Sequence, residues 1–176
     1  MRFLAPLFIL LALVCAGCSS PFGGAANSNG GSKSYSDPTY HFSFRYPAAW
    51  GIKGKGHTEL LPTPTYVLHI NTHDQTVDLE VTVDHDIIAL PRFQNGEVRK
   101  DPEGPDKLHY QHAQVSGYPA MHVGRYAGKT LDGLFVIFNT KKSSYQVRMI
   151  SAVPPFKSSV IRGFNQIVRT LRVSGS

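Results

Sequence analysis

The stretch His41-Phe42-Ser43-Phe44-Arg45-Tyr46-Pro47-Ala48-Ala49-Trp50 marks where the chain stops reading as an address and a tether and begins to read as a fold. Phe42, Phe44 and Tyr46 alternate with His41, Ser43 and Arg45. A period of two is the period of a strand with one buried face, so the three rings are expected to point inward. Pro47 ends the strand because it cannot donate to a ladder. Ala48 and Ala49 then turn the chain so that Trp50, the single tryptophan, can swing back onto the same apolar face.

Upstream the chain changes character. Met1-Arg2 is a short basic start, followed by an apolar run from Phe3 to Val14 broken by Pro6. That run is too short for a stable transmembrane helix and fits the apolar region of a signal peptide. Cys15-Ala16-Gly17-Cys18 follows and resembles the lipobox of bacterial lipoproteins. Ala16 and Gly17 hold its small positions, whereas Cys15 stands where Leu is usual. The expectation is a signal peptide over 1–17 and acylation of Cys18, giving a membrane-anchored, extracytoplasmic chain in a bacterial cell envelope. The alternative is an ordinary secretory signal cut after an A-x-A-like site, with Cys15 and Cys18 left over or paired. On the lipobox reading the mature chain keeps no free thiol and no disulfide, which excludes a cysteine nucleophile and a cysteine-based metal site. Residues 18–38 carry the anchor and then a run rich in Gly, Ser and Asn, too poor in apolar groups to offset the entropy of ordering them. They read as a flexible tether with a reach of roughly 25 Å.

Downstream, residues 39–174 read as one globular domain. Thr58 to Leu61 is a short second strand, closed by Pro62 and Pro64, and Gly54-Lys55-Gly56 before it reads as a hairpin loop. Tyr66, Leu68 and Ile70 alternate with Val67, His69 and Asn71, and Leu79, Val81 and Val83 alternate with Asp78, Glu80, Thr82 and Asp84. Each run predicts a strand with one polar face. Residues 87–93 are open between a short helix and an irregular edge, and 94–107 form a charged loop. Strands over 108–116 and 120–126 are joined through Gly117-Tyr118-Pro119, and strands over 134–140 and 144–151 around Lys141-Lys142-Ser143. Pro154-Pro155 stops the last strand. Val160, Phe164, Ile167, Val168 and Leu171 then recur at the spacing of one helical face, predicting an amphipathic helix over 156–171 that covers the sheet. Gly163 costs about 1 kcal/mol inside a helix, and a close approach to the sheet is one explanation. The fold class is therefore α+β, with an antiparallel sheet of about six to seven strands covered by a C-terminal helix.

Composition agrees with one domain of ordinary size in 176 residues. Hydrophobic residues make up 41% and charged residues 17%, with ten Phe and eight Tyr, which suits a packed, β-rich core and not a disordered chain. The net charge of +6 falls only by Arg2 when the leader is removed.

Taken together, F-x-F-x-Y-P-x-x-W over Phe42–Trp50, the segment Val115, Gly117, Pro119, Ala120, a tyrosine-bearing late strand and the terminal helix resemble the PsbP-like family. That family is named for an extrinsic subunit of the photosystem II oxygen-evolving complex, and its fold is shared by Ran-binding Mog-type proteins. The resemblance spans about residues 40–173 and rests on core and turn positions. It implies an α/β/α sandwich with an antiparallel central sheet, and a protein that acts as an accessory or assembly factor by binding other proteins, not as an enzyme. Some photosynthetic members bind metal ions, but their ligand positions match no residues here, so the resemblance implies no site and no cofactor. A photosynthetic role is not implied.

Eight histidines are the most suggestive chemical feature. His69 and His73 on one strand would lie on the same face roughly 13 Å apart, too far to share an ion unless the chain bends after Ile70. His109 and His112 would point to opposite faces. Asp84-His85-Asp86 is the remaining metal-ligand candidate, and its plainer reading is a polar strand end. No G-x-S-x-G elbow is present, and Gly54-Lys55-Gly56 lacks the P-loop spacing. Lys53, Lys55, Arg92, Arg99, Lys100, Lys141, Lys142, Arg162 and Arg169 are dispersed and read as a solvated surface, with a patch for anionic lipid as the alternative. Nucleic acid is not an expected partner outside the cytoplasm. The expectation is a non-enzymatic module that binds an unidentified envelope or membrane protein; the alternative is a lipoprotein that binds a small ligand or a divalent metal.

Overall fold

The computed structural model describes residues 31–58, 65–72, 77–151 and 153–174. The expected leader, Cys18 and most of the expected tether lie outside them. The described residues form two antiparallel sheets and one helix. The small sheet contains β1 (Ser32–Asp37), β2 (Phe42–Pro47) and β11 (Arg172–Val173). The large sheet contains β3 (Gly51–Thr58), β4 (Thr65–Asn71), β5 (Val77–Asp84), β6 (Val98–Lys100), β7 (Lys107–Val115), β8 (Tyr118–Ala127), β9 (Thr130–Asn139) and β10 (Ser144–Ser151). Its order is β3-β4-β5-β10-β9-β8-β7-β6. The helix α1 spans Ser158–Thr170.

That order joins two meanders, β3-β4-β5 and β6 to β10, along the β5–β10 seam. Antiparallel neighbours need only tight turns. Between β7 and β8 both Ser116 and Gly117 have positive φ, 53° and 87°, the backbone that two-residue hairpins require and that glycine adopts most readily. The turn is therefore Ser116-Gly117, and Tyr118 and Pro119 already belong to β8. The link from β5 to β6 has to travel from the middle of the sheet to its far edge. Residues 85–97 do so as an irregular strap across one face. Ile88 N donates to Ser144 Oγ at 2.7 Å, and Asn139 Nδ2 donates to the Ile88 carbonyl at 2.8 Å.

The core lies on the opposite face. Leu68, Ile70, Leu79, Val81, Val83, Leu134, Val136, Phe138, Val147 and Met149 project from the large sheet into one cluster with Phe42, Phe44, Tyr46, Trp50, Val160, Phe164, Ile167 and Leu171. The inward alternation of Phe42, Phe44 and Tyr46 is what the structure has, with those residues 2%, 2% and 7% exposed. Under the strap a smaller cluster forms, in which Leu90 and Phe93 pack on Tyr110, Met121 and Val123.

The observed sheets differ from the expected sheet of six to seven strands in ways that have physical causes. β1 falls within the expected tether: its polar sequence has no alternation strong enough to announce a strand, and it forms because β2 offers it a partner from Asp37↔Phe42 to Ser32↔Pro47. Gly54-Lys55-Gly56 is not a loop but part of β3, paired as Gly54↔His69, Lys55↔Leu68 and Gly56↔Val67. Here the strong pattern of β4 overrides the low strand propensity of glycine. Of the expected strand 58–61, Thr58 ends β3, and residues 59–64 fall outside those described. The charged loop 94–107 contains β6, and the helix begins at Ser158 instead of Phe156. Among the described residues α1 is the single helix, and the face of the large sheet away from it carries the strap. No helix of the described residues is long and apolar enough to cross a membrane.

Candidate functional site

The face of the large sheet away from the core is covered by the strap only over its β7 to β10 half. Over β3, β4 and β5 no other element of the described residues covers it, and alternation decides what it shows. On β5 the outward positions include Asp78 and Glu80, on β4 Val67, His69 and Asn71, and on β10 Gln146 and Arg148. Register brings these together: His69 lies opposite Glu80, Asn71 opposite Asp78, and Glu80 opposite Arg148.

The side chains converge. His69 Nδ1 is 3.4 Å from Asp78 Oδ2 and 3.7 Å from Glu80 Oε1, while Arg148 Nε donates to Glu80 Oε2 at 3.0 Å. Glu80 thus divides its two oxygens between an imidazole and a guanidinium. On the outer side of His69, β3 contributes glycine. A Cβ at Gly54 or Gly56 would meet nothing within 4 Å, and a hollow of about 270 Å³ lies there, lined by Gly54, Lys55, Gly56, His57, Thr58, Val67 and His69. A second, wider depression of about 550 Å³ is bounded by Lys33, Trp50, Ile52, Lys53, Asn71 and Thr72 among others. The Oδ1 atom of Asn71 is buried without a hydrogen-bond partner among the described residues.

The residues singled out in the sequence are placed differently. Asp84 is 8% exposed. Its Oδ1 accepts from the Asp86 amide at 2.9 Å and its Oδ2 from Thr65 Oγ1 at 3.4 Å. His85 is exposed, its ring 6.1 Å from that of Tyr40. Among the described residues the three-membered group of possible ligands is His69, Asp78 and Glu80, not Asp84, His85 and Asp86. His73 lies outside the described residues. His109 and His112 do take opposite faces of β7, His109 against Tyr126 at 4.3 Å and His112 stacked on Phe93 at 4.6 Å. His122, on the core side of β8 and 6.3 Å from the Phe164 ring, is held below the usual imidazole range by burial.

A second polar centre joins the two sheets. Asp37, 3% exposed, accepts from Tyr66 OH at 2.8 Å, Tyr35 OH at 3.0 Å, and the amides of Thr39 and Tyr40 at 3.0 and 3.1 Å. Burial alone would push its carboxyl up, but these donors together hold it below the ordinary carboxylate range. Burial, then Tyr35 and then Asp37 push the Tyr66 phenol far up, so it remains a donor. The four donors make this centre a structural clamp.

The fold has a known counterpart. The solution structure of cyanobacterial PsbP (CyanoP) from Synechocystis sp. PCC 6803 superposes with a TM-score of 0.52 at 12% identity, covering 88% of this chain and 99% of that one. The chain therefore has a PsbP-like fold. No protein-family model matches it, and no curated protein is similar enough to be paired with it.

Proposed function

We propose that this chain is a lipid-anchored, extracytoplasmic binding or assembly module without catalytic activity. Acylated Cys18 holds it to a bacterial membrane, and it engages an envelope or membrane protein through the open side of its large sheet. The observation that carries this reading is β3, an eight-residue strand at the end of the sheet order whose outer edge pairs with no other strand among the described residues. An extended segment of a partner can add to such an edge by main-chain hydrogen bonds, with the adjoining face supplying specificity. Lys53, Lys55 and the irregular register between Ile52 and Gly54 oppose indiscriminate edge pairing, which suits an edge kept for one partner. The PsbP-like fold supports the scaffold and leaves the partner open.

Two experiments test the two halves of the proposal. Cys18→Ala should release the chain from membranes after a high-salt wash; retention would end the anchoring claim. A photo-crosslinker at Lys55 should capture one envelope protein repeatedly, while the same group at Arg162 on the exposed side of α1 should not. Equal capture from both positions, or none from Lys55, would remove the edge as the binding surface.

A further inference from the structure

We propose that His69, Asp78 and Glu80 form a site for one first-row divalent transition-metal ion. This goes beyond the binding-module reading and does not depend on it.

The backbone builds the site. Asp78 and Glu80 are two apart on β5 and so share a face, and the β4–β5 register sets His69 directly across from Glu80. One ligand atom from each residue lies within 4.8 Å of the other two. Ligands about 2.0 to 2.1 Å from a tetrahedral ion stand roughly 3.4 Å apart. The His69–Asp78 and His69–Glu80 separations of 3.4 and 3.7 Å are therefore close to what an ion requires, and small carboxylate rotations supply the rest.

The donor set selects the class of ion. Two carboxylates alone would suit calcium or magnesium, but an imidazole nitrogen among three ligands favours zinc, cobalt or nickel. Arg148 takes Glu80 Oε2 and leaves Oε1 turned toward His69, the kind of outer contact that fixes a ligand's orientation. The ion keeps open coordination positions for water, and the hollow over Gly54 and Gly56 leaves room beside the imidazole.

The test uses the full chain carrying Cys15→Ser and Cys18→Ser, so that no thiol competes for the ion, without a histidine tag, titrated with zinc and with cobalt. One ion should bind per chain and raise the melting temperature, while calcium and magnesium at the same concentrations should not. His69→Asn should weaken zinc binding by about tenfold or more, whereas His85→Asn and His112→Asn should bind as the parent does. His69→Cys should gain a thiolate-to-cobalt charge-transfer absorption that the parent lacks, a signature that misfolding cannot imitate. Zinc binding left intact by His69→Asn, absence of binding in the parent, or a His69→Cys variant that binds cobalt without the new absorption would each overturn the proposal.

Discussion

The indole of Trp50 lies across Gly163 of α1, so close that a Cβ on Gly163 would stand 2.5 Å from Cη2, closer still to Cζ2, and 3.0 Å from Pro47 Cγ. The helix surrenders side-chain bulk here so that Trp50, 7% exposed, can be covered. Propensity favours alanine over glycine by about 1 kcal/mol in a helix interior. The contact opposes it, because real side chains do not sit at such distances, and overpacking a filled core costs about 1 to 3 kcal/mol. Gly163→Ala is therefore expected to lower stability in urea despite making a better isolated helix. Trp50→Phe in the same chain should recover part of the loss. A stabilised Gly163→Ala variant would show that the helix rests on Trp50 less closely than the structure has it.

Asp37 ties β1 to the large sheet through Tyr66, and its carboxylate is needed in the charged form. Its folded pKa is lowered, below an unfolded value of about 3.9. The stabilisation is therefore complete above the unfolded pKa and is lost as pH falls through the folded one. Asp37→Asn keeps the shape but gives up a charged acceptor, a loss of about 1.5 to 3 kcal/mol at pH 7. Denaturant melts at pH 7 and pH 3 should show a gap between parent and variant that narrows in acid. A gap of constant size would assign the effect to packing instead of charge.

Much of this arrangement can be read from the residues in order. β2, β4, β5 and the run from β7 to β10 declare themselves by alternation, and α1 by its apolar stripe, because each buries its own face against the common core. β1 and β3 do not, because what makes them strands is a neighbour: Tyr35 gains the rings of Phe42 and Phe44 at 5.9 and 5.5 Å, and the β3 glycines gain β4. The candidate site follows the same rule. His69, Asp78 and Glu80 all fall on outward positions of predicted strands, yet the ligand partners of His69 stand across the sheet on β5 and not along its own strand. Only the β4–β5 register joins them, and a hairpin register depends on a turn that composition alone does not fix.

At the far end of the β8–β9 hairpin, Arg125 donates from Nε to Asp132 Oδ1 at 3.0 Å and from a terminal nitrogen to Oδ2 at 3.3 Å, with Asp106 at 3.7 Å. Asp132 pushes the guanidinium above its ordinary value. The two parallel bonds need a planar fork that lysine lacks. Arg125→Lys should therefore cost about 1 kcal/mol in a partly buried pair, measurable in urea. An unchanged midpoint would mean that charge alone is sufficient there.

The strap is held by a closed ring of three hydrogen bonds. Ile88 N donates to Ser144 Oγ, Ser144 Oγ donates to Asn139 Oδ1 at 2.7 Å, and Asn139 Nδ2 donates to the Ile88 carbonyl. Asn139→Ala breaks two of the three. Because Ile88 is 40% exposed, water can replace the lost partner, so the global cost should stay near 1 kcal/mol or below. The local consequence should be larger. Amides near Ile88 should exchange with solvent much faster than those of β9 and β10, since segments with few buried contacts open independently of the core. Phe93, stacked on His112 and 5.3 Å from the Tyr110 ring, anchors the other end, and its amide neighbours should keep their protection in the Asn139→Ala variant. Uniform acceleration from 86 to 97 would show that the strap opens as one unit and that the ring around Ile88 is its latch.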